Sequence, residues 1–201
     1  MLTIALPKGR IAEQTLEKFE KVFGEKFVFE NRKLILKKAG FTFLNVRNQD
    51  VPTYVMHGAA DLGVVGLDVL EEKEYDLIKL LDLKIGQCKV SIGLKAGEKI
   101  DWNRSEITVA TKHTNIAKRF FESKAMAVNI VKLYGSIELA PLVGLSDCIV
   151  DIVETGETMK QNGLEVADTI MNSSVYLIAN KNSYYNKKKQ ILDLREKLEN
   201  T

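Results

Sequence analysis

Short apolar runs alternate along this chain with longer stretches in which apolar positions recur every three or four residues. The first kind reads as buried strand and the second as amphipathic helix, so the pattern predicts an α/β fold. Thr3–Leu6 opens as a strand, and Ile11, Leu16, Phe19, Val22 and Phe23 then recur with helical spacing until Gly24 stops them. Strands are expected over Lys33–Lys37 and Phe41–Arg47. At Asp50-Val51-Pro52 the sequence predicts a helix start, with Asp50 as N-cap and proline in the first turn. Asp61–Gly66 reads as a short buried strand leading into a helix through Glu72, and the extended stretch Gln87–Leu94 follows Gly86.

The second half repeats the style. Strands are expected at Glu106–Ala110, Ala127–Leu133, Ile149–Val153, Leu164–Met171 and Val175–Asn180, with helices at Thr114–Ser123 and Ser136–Val143 and a closing amphipathic helix at Tyr185–Glu199. Two lobes, each a mixed sheet flanked by helices, joined by crossing strands and holding a ligand in a cleft between them, fit this order best; one continuous sheet is the alternative. The expected boundaries are residues 1–87 for the first lobe, 88–180 for the second, and a closing helix over 181–201 that packs back on the first.

Composition narrows the function classes. At 201 residues and 45% apolar content the chain can bury a full core. Lys+Arg 29 against Asp+Glu 27 gives no nucleic-acid surface, and Lys187-Lys188-Lys189 reads as a solvated helix start. Cys88 and Cys148 lie far apart with no C-x-x-C spacing and only two histidines in the chain, which argues for buried thiols in a reducing cytoplasm rather than a zinc site. The N-terminus enters a strand without a charged leader or a long apolar run, so the expectation is a cytoplasmic chain with neither signal peptide nor membrane span.

The stretch most informative about chemistry is Asp151-Ile-Val-Glu154-Thr155-Gly156-Glu157-Thr158-Met159. A β-branched run, Cys148–Val153, leads into it, and the chain then turns at Gly156 and enters one or two helical turns stopped by Asn162-Gly163. Backbone N–H groups at a strand-to-helix turn point outward together and favour an anion, and Thr155 and Thr158 add hydroxyl donors. The loop has no lysine, so it lacks the G-x-x-x-x-G-K-[ST] pattern of an NTPase P-loop. A carboxylate beside a phosphate repels it unless it accepts from sugar hydroxyls or stands behind a Mg²⁺, and a ribose phosphate offers both roles to Asp151. Taken alone, Asp-x-x-x-Thr-Gly also describes a strand end with an acid capping a turn.

The longer frame separates these readings. Glu138, then Gly144-Leu-Ser146, then Ile149-Val-Asp151-Ile-Val-Glu-Thr155-Gly-Glu-Thr158-Met159 resembles the signature of the ATP phosphoribosyltransferases. Other segments agree: Leu6-Pro-Lys8-Gly9-Arg10 resembles the family's N-terminal strand-turn-helix, Arg32 and Arg47 stand where the family carries arginines, and Asp50-Val-Pro52 resembles its Asp-Ile-Pro turn. Gly58-Ala-Ala-Asp61-Leu-Gly63-Val-Val-Gly66-Leu-Asp68, Gly86-Gln-Cys88 and Ile107-Thr-Val-Ala-Thr-Lys112-His-Thr-Asn115-Ile-Ala extend the likeness over nearly the whole chain.

The resemblance implies a periplasmic-binding-protein-like pair of lobes and attack of the adenine N1 of ATP on C1 of phosphoribosyl pyrophosphate, with Mg²⁺-bound pyrophosphate leaving. It implies no acid–base catalyst and no direct protein ligand to the metal. Asp151, Glu154, Thr155, Gly156, Glu157, Thr158 and Glu138 are then expected on phosphoribosyl pyrophosphate. Lys8, Gly9, Arg10, Arg32, Arg47 and Asp68 are expected on ATP or pyrophosphate, with Lys8 and Arg10 stabilising the transition state. Arg32 also reads as a surface charge, Asp68 also as a helix cap, and His57 and His113 as structural. Base-salvage phosphoribosyltransferases carry two adjacent acids before a similar loop; here the first position is Val150, which weighs against them. A two-lobed binding protein is the other rival. The chain ends at Thr201, as in the family's short form, whose members work with a regulatory subunit resembling histidyl-tRNA synthetase. A homodimer within a hetero-oligomer is therefore expected, without nucleic acid or membrane.

Overall fold

In the first strand, β1 (Leu2–Pro7), side chains alternate between two apolar layers. Leu2, Ile4 and Leu6 face a core shared with α1 (Arg10–Phe23), whereas Ala5 faces a second core on the other side of the sheet. The computed structural model describes residues 1–30 and 32–201. They form two units, Met1–Gly86 with Ser174–Thr201 and Gln87–Ser173.

In the first unit α1 ends at Gly24 in the left-handed conformation, with the Gly24 N–H bonded to Glu20 O. An edge strand β2 (Ile35–Lys38) and β3 (Phe41–Val46) follow, β3 lying parallel to β1 from Leu2 opposite Phe41 to Pro7 opposite Val46. Phe19 sits among Phe23, Phe27, Phe41 and Phe43, its ring edge-on to Phe43 at 5.1 Å. α2 (Val51–Met56) starts where the sequence predicts, with Asp50 at the N-cap position and Pro52 in the first turn, but the Asp50 side chain makes no capping bond. A 3-10 turn at Asn48–Asp50 enters the helix instead, with Asp50 N–H already bonded to Arg47 O. The strand β4 (Leu62–Gly66), wholly buried, lies parallel to β1 on its other side and runs into α3 (Leu67–Lys73). The strand β5 (Ile78–Asp82), which the sequence reading missed, is a half-buried edge.

In the second unit β6 (Cys88–Lys95), β7 (Glu106–Thr111), α4 (Thr114–Ser123), β8 (Ala127–Lys132), α5 (Leu139–Leu142), β9 (Cys148–Val153), α6 (Glu157–Gln161) and β10 (Leu164–Ser173) build a sheet in the order β10-β6-β9-β7-β8. β7, β8 and β9 are parallel and β6 is antiparallel to both of its neighbours. α4 covers one face through Ile116, Ala117 and Phe121, and Trp102 packs on its Phe120 and Phe121 rings. Ala140 of α5 and Met159 of α6 cover the other. The helix expected over Ser136–Val143 is a single turn, because Ser136 takes a left-handed φ of 50° that no helix accommodates. Cys148 lies in the core, where burial pushes its thiol up to about 12; Cys88 is only half-buried.

The chain then returns. β11 (Val175–Ala179) inserts between β4 and β5, antiparallel to both, so these residues belong to the first unit and not to a second lobe running to 180. Leu177 and Ala179 fill one core of that sheet and Ile178 the other. The single closing helix expected from the sequence is two, α7 (Lys181–Asn186), capped by the Asn180 side chain, and α8 (Lys188–Glu199). Ile191, Leu194 and Leu198 of α8 complete the α1 core. Lys187, at the break, places its Nζ 2.7 and 2.8 Å from the two Asp61 oxygens, so it is an internal ion-pair partner rather than a solvated charge. Among the described residues no helix is long and apolar enough to cross a membrane.

Candidate active site

The order of strands places a crevice. In the second unit the connection from β7 goes to β8 on one side, and the next strand, β9, returns to the other side of β7. Connections that leave in opposite directions open a crevice at the carboxyl ends of the two strands. Thr111 ends β7 opposite Val150, so Asp151 and the loop after β9 emerge at that point.

A cavity of about 300 Å³ lies there, lined by Glu138 and the continuous run Asp151–Met159. All seven residues expected from the sequence to bind phosphoribosyl pyrophosphate line it. Val153 and Met159 are buried and anchor the loop, while Glu154, Thr155, Glu157 and Thr158 are exposed between them. Gly156 takes φ 81° and ψ −1°, a left-handed turn that favours glycine. Lys160 N–H bonds to Gly156 O at 3.0 Å to open α6, and Glu157 N–H makes a long contact of 3.4 Å to Thr155 Oγ1. Glu138 stands at the start of α5, half-buried.

Asp151 is pinned rather than loose. Its Oδ1 accepts from the Ile152 N–H at 2.8 Å and lies 3.0 Å from Lys112 Nζ. Lys112 is the residue that sequence reasoning did not assign. It follows the last residue of β7, where the Thr111 hydroxyl donates to Val150 O at 2.6 Å and accepts from His113 N–H at 2.8 Å. Its sequence signal was its place directly after a parallel strand; its partner, on another strand, was visible only in the fold.

The first unit repeats the rule. β1 connects to β3 on one side and β4 lies on the other, so the carboxyl ends of β1, β3 and β4 share one sheet edge. Lys8, Gly9 and Arg10 follow β1, Arg47 follows β3, and Arg32 precedes β2, which runs antiparallel to β3; all five are exposed. Lys8 N–H bonds to Val46 O at 2.8 Å, tying the β1 turn to β3. Gly9, at φ 96° and ψ −151°, has a backbone open only to glycine. Asp68 differs from its neighbours in being only 4% exposed, in the first turn of α3. A Cβ on Gly66 would stand 2.3 Å from Asp68 Oδ1, so this carboxylate is packed into the turn rather than displayed. His57 is exposed and His113 buried. Among the described residues no three His, Cys, Asp or Glu side chains gather as a ready cation site.

A sequence profile of the ATP phosphoribosyltransferases matches residues 47–200. The chain belongs to the ATP phosphoribosyltransferase family. An ATP phosphoribosyltransferase of Sulfurovum sp. (strain NBC37-1) is 68% identical over 198 residues, which are 98% of this chain and 96% of the relative. One of Helicobacter hepaticus is 58% identical over 201 residues, 100% and 98% of the two chains. Among solved structures, a chain of the ATP phosphoribosyl transferase (HisG:HisZ) complex from Thermotoga maritima superposes with a TM-score of 0.87 at 38% identity, covering 100% of this chain and 98% of its own. The periplasmic aliphatic sulphonate binding protein of Escherichia coli, at a TM-score of 0.61 and 13% identity over 98% of this chain and 68% of its own, shares the fold alone. ATP phosphoribosyltransferase chemistry thus stands here on a periplasmic-binding-protein-like pair of mixed sheets.

Proposed function

We propose that the Glu154–Thr158 loop seats the 5′-phosphate of phosphoribosyl pyrophosphate, with Asp151 and Glu138 on the ribose hydroxyls. The chain transfers the phosphoribosyl group of that substrate to N1 of ATP and releases pyrophosphate, the first step of histidine biosynthesis. One observation carries the site assignment: Glu138 and the run Asp151–Met159 line a single cavity where β7 and β9 part.

The chemistry asks for two opposite environments. As the N1 lone pair bonds to C1, the C1–oxygen bond breaks and its electron pair leaves with pyrophosphate, so positive charge grows on the sugar and negative charge on the leaving group. Asp151 and Glu138 suit the sugar. The glycine turn and the Thr155 and Thr158 hydroxyls suit the phosphate, each hydrogen bond to such a charged group contributing about 1.5–3 kcal/mol. Lys8 and Arg10 stabilise the departing pyrophosphate, Arg32 and Arg47 serve the polyphosphates, and Gly9 lets the backbone come close to them. Asp68, expected at the nucleotide, is buried in the first turn of α3. No side chain has to remove a proton before N1 attacks, and Mg²⁺ arrives with the pyrophosphate as part of the substrate.

The chain acts in the cytoplasm as a homodimer within a hetero-oligomer that includes a regulatory subunit resembling histidyl-tRNA synthetase. The Thermotoga neighbour, a chain of a HisG:HisZ complex covered over 98% of its length, supports the second subunit. Incubation with ATP, phosphoribosyl pyrophosphate and Mg²⁺, with and without that subunit, tests the assignment. Pyrophosphate and N1-ribosylated ATP are expected by mass spectrometry; product with free bases and none with ATP would overturn it. Thr158→Val and Asp151→Asn should each weaken phosphoribosyl pyrophosphate binding about tenfold or more without lowering the melting temperature. Unchanged binding in both would remove the loop from the site.

A further inference from the structure

The loop after β9 contains no lysine, yet it is asked to hold a phosphate beside a carboxylate. The fold supplies the missing cation from elsewhere. Lys112 follows β7, the parallel neighbour of β9, and its Nζ lies 3.0 Å from Asp151 Oδ1. The Lys112 side chain is 34% exposed and that of Asp151, which lines the cavity, 16%, so the pair is partly withdrawn from bulk water. Its placement is not accidental flexibility. Residue 111 is locked on one side to Val150 O and on the other to His113 N–H, both through a hydroxyl with no solvent exposure, and that clasp fixes the backbone from which Lys112 departs.

Both interactions fall on the same oxygen. Ile152 N–H donates to Oδ1, Lys112 makes its closest approach to Oδ1, and among the described residues no hydrogen bond goes to Oδ2. We infer that Lys112 is a positioning residue for phosphoribosyl pyrophosphate: by holding Oδ1 it turns Oδ2 of Asp151 toward the ribose hydroxyls, and it offsets the carboxylate charge beside the phosphate. The inference rests on the reading of the Asp151–Met159 loop as the ribose-phosphate site. Without Lys112, Asp151 keeps one anchor, its own neighbour's N–H, and its side chain regains rotamer freedom that the ligand must then remove. The uncompensated carboxylate also repels the phosphorylated sugar.

A double-mutant cycle in the assembled complex separates this from a surface ion pair. Binding of Mg²⁺–phosphoribosyl pyrophosphate is measured by calorimetry for the unaltered chain, Lys112→Met, Asp151→Asn and the double variant, with ATP binding followed in parallel. Lys112→Met is expected to weaken phosphoribosyl pyrophosphate about tenfold, to leave ATP within about twofold, and to add less than about twofold when Asp151 is already Asn, because the lysine acts through the acid. Lys112→Arg, which keeps the charge and the reach, is expected to recover most of the loss. Additive effects of the two substitutions, or unchanged binding in Lys112→Met while Asp151→Asn is impaired, would overturn the role of Lys112 and leave the loop assignment standing. No change in Asp151→Asn would overturn the role of Lys112, and with Thr158→Val unchanged as well it would overturn the loop assignment. Melting temperatures accompany each variant, and should Lys112→Met fold poorly, Lys112→Gln carries the same cycle.

Discussion

Asp61 shows how much of this fold hangs on single side chains. It accepts from the Thr3 N–H at 2.9 Å, from the Ser183 hydroxyl at 2.8 Å and from Lys187 Nζ, so one carboxylate joins β1, α7 and the start of α8. Burial pushes its proton affinity up, but Lys187, the Thr3 amide and Ser183 together outweigh that and hold the carboxyl below its usual range. A group whose folded value is lowered stabilises the fold fully above its unfolded value, near pH ~4, and that contribution is lost as acid carries the solution down through the folded value. Asp61→Asn should therefore cost about 2–3 kcal/mol at neutral pH, because it leaves the Lys187 ammonium without its counter-charge. Denaturant melts across pH check this: the gap between the two proteins should close as the pH falls below about 4. A gap constant with pH would mean that the charge on Asp61 is not what stabilises this junction.

At the scale of elements, packing under the Asp151–Met159 loop is set by an absent side chain. Gly93 in β6 faces Ile149 across the strand pair, and a Cβ there would stand 2.9 Å from Ile149 Cγ1 and 3.0 Å from Met159 Sδ. Met159 is the buried anchor of α6, so Gly93→Ala should cost about 1–3 kcal/mol and also weaken phosphoribosyl pyrophosphate binding by shifting the loop. Gly135→Ala, with open space around the new methyl and an ordinary φ, is the control and should stay within about 0.5 kcal/mol. Thermal melts with and without ligand distinguish the two. Elements like α1, α4 and β9 were legible because their signals are local: an apolar period, a stop at Gly24, a β-branched run. The candidate loop was legible as a strand-to-helix turn for the same reason, since its acid, glycine and hydroxyls stand within one short run. What failed was non-local. β11 reads as the neighbour in sequence of β10 but pairs with β4; β5 has no periodicity because it is a half-buried edge; Ser136 and Lys187 break helices through backbone conformations that their residue types do not announce. The pairing of Lys112 with Asp151 and of Lys187 with Asp61 likewise depends on which strands and helices become neighbours.

At the scale of the whole molecule, the two units differ in how the chain builds them. The second is one continuous stretch, Gln87–Ser173, whose sheet and two apolar clusters come entirely from itself. The first needs both ends of the chain: among the described residues β5 pairs only with β11, Asp61 finds partners on residues 183 and 187, and α8 supplies Ile191, Leu194 and Leu198 to the core around Phe19. Residues 1–86 alone should thus remain unfolded, with an orphaned edge strand and an uncovered apolar face. The remedy is visible where the chain leaves and re-enters, since Leu83 N–H bonds to Val175 O at 2.9 Å and Val175 N–H to Ile85 O at 3.2 Å. Joining Gly86 to Ser174 through a few Gly/Ser residues replaces a long loop by a short one and lowers the entropy of closing it. That joined chain should melt in a single cooperative transition, and the fragment 87–173 should do so by itself, each followed by circular dichroism. Broad, non-cooperative melting of the joined chain would show that the first unit needs the second in order to fold, and that the strand pairing between Ile85 and Val175 does not close it.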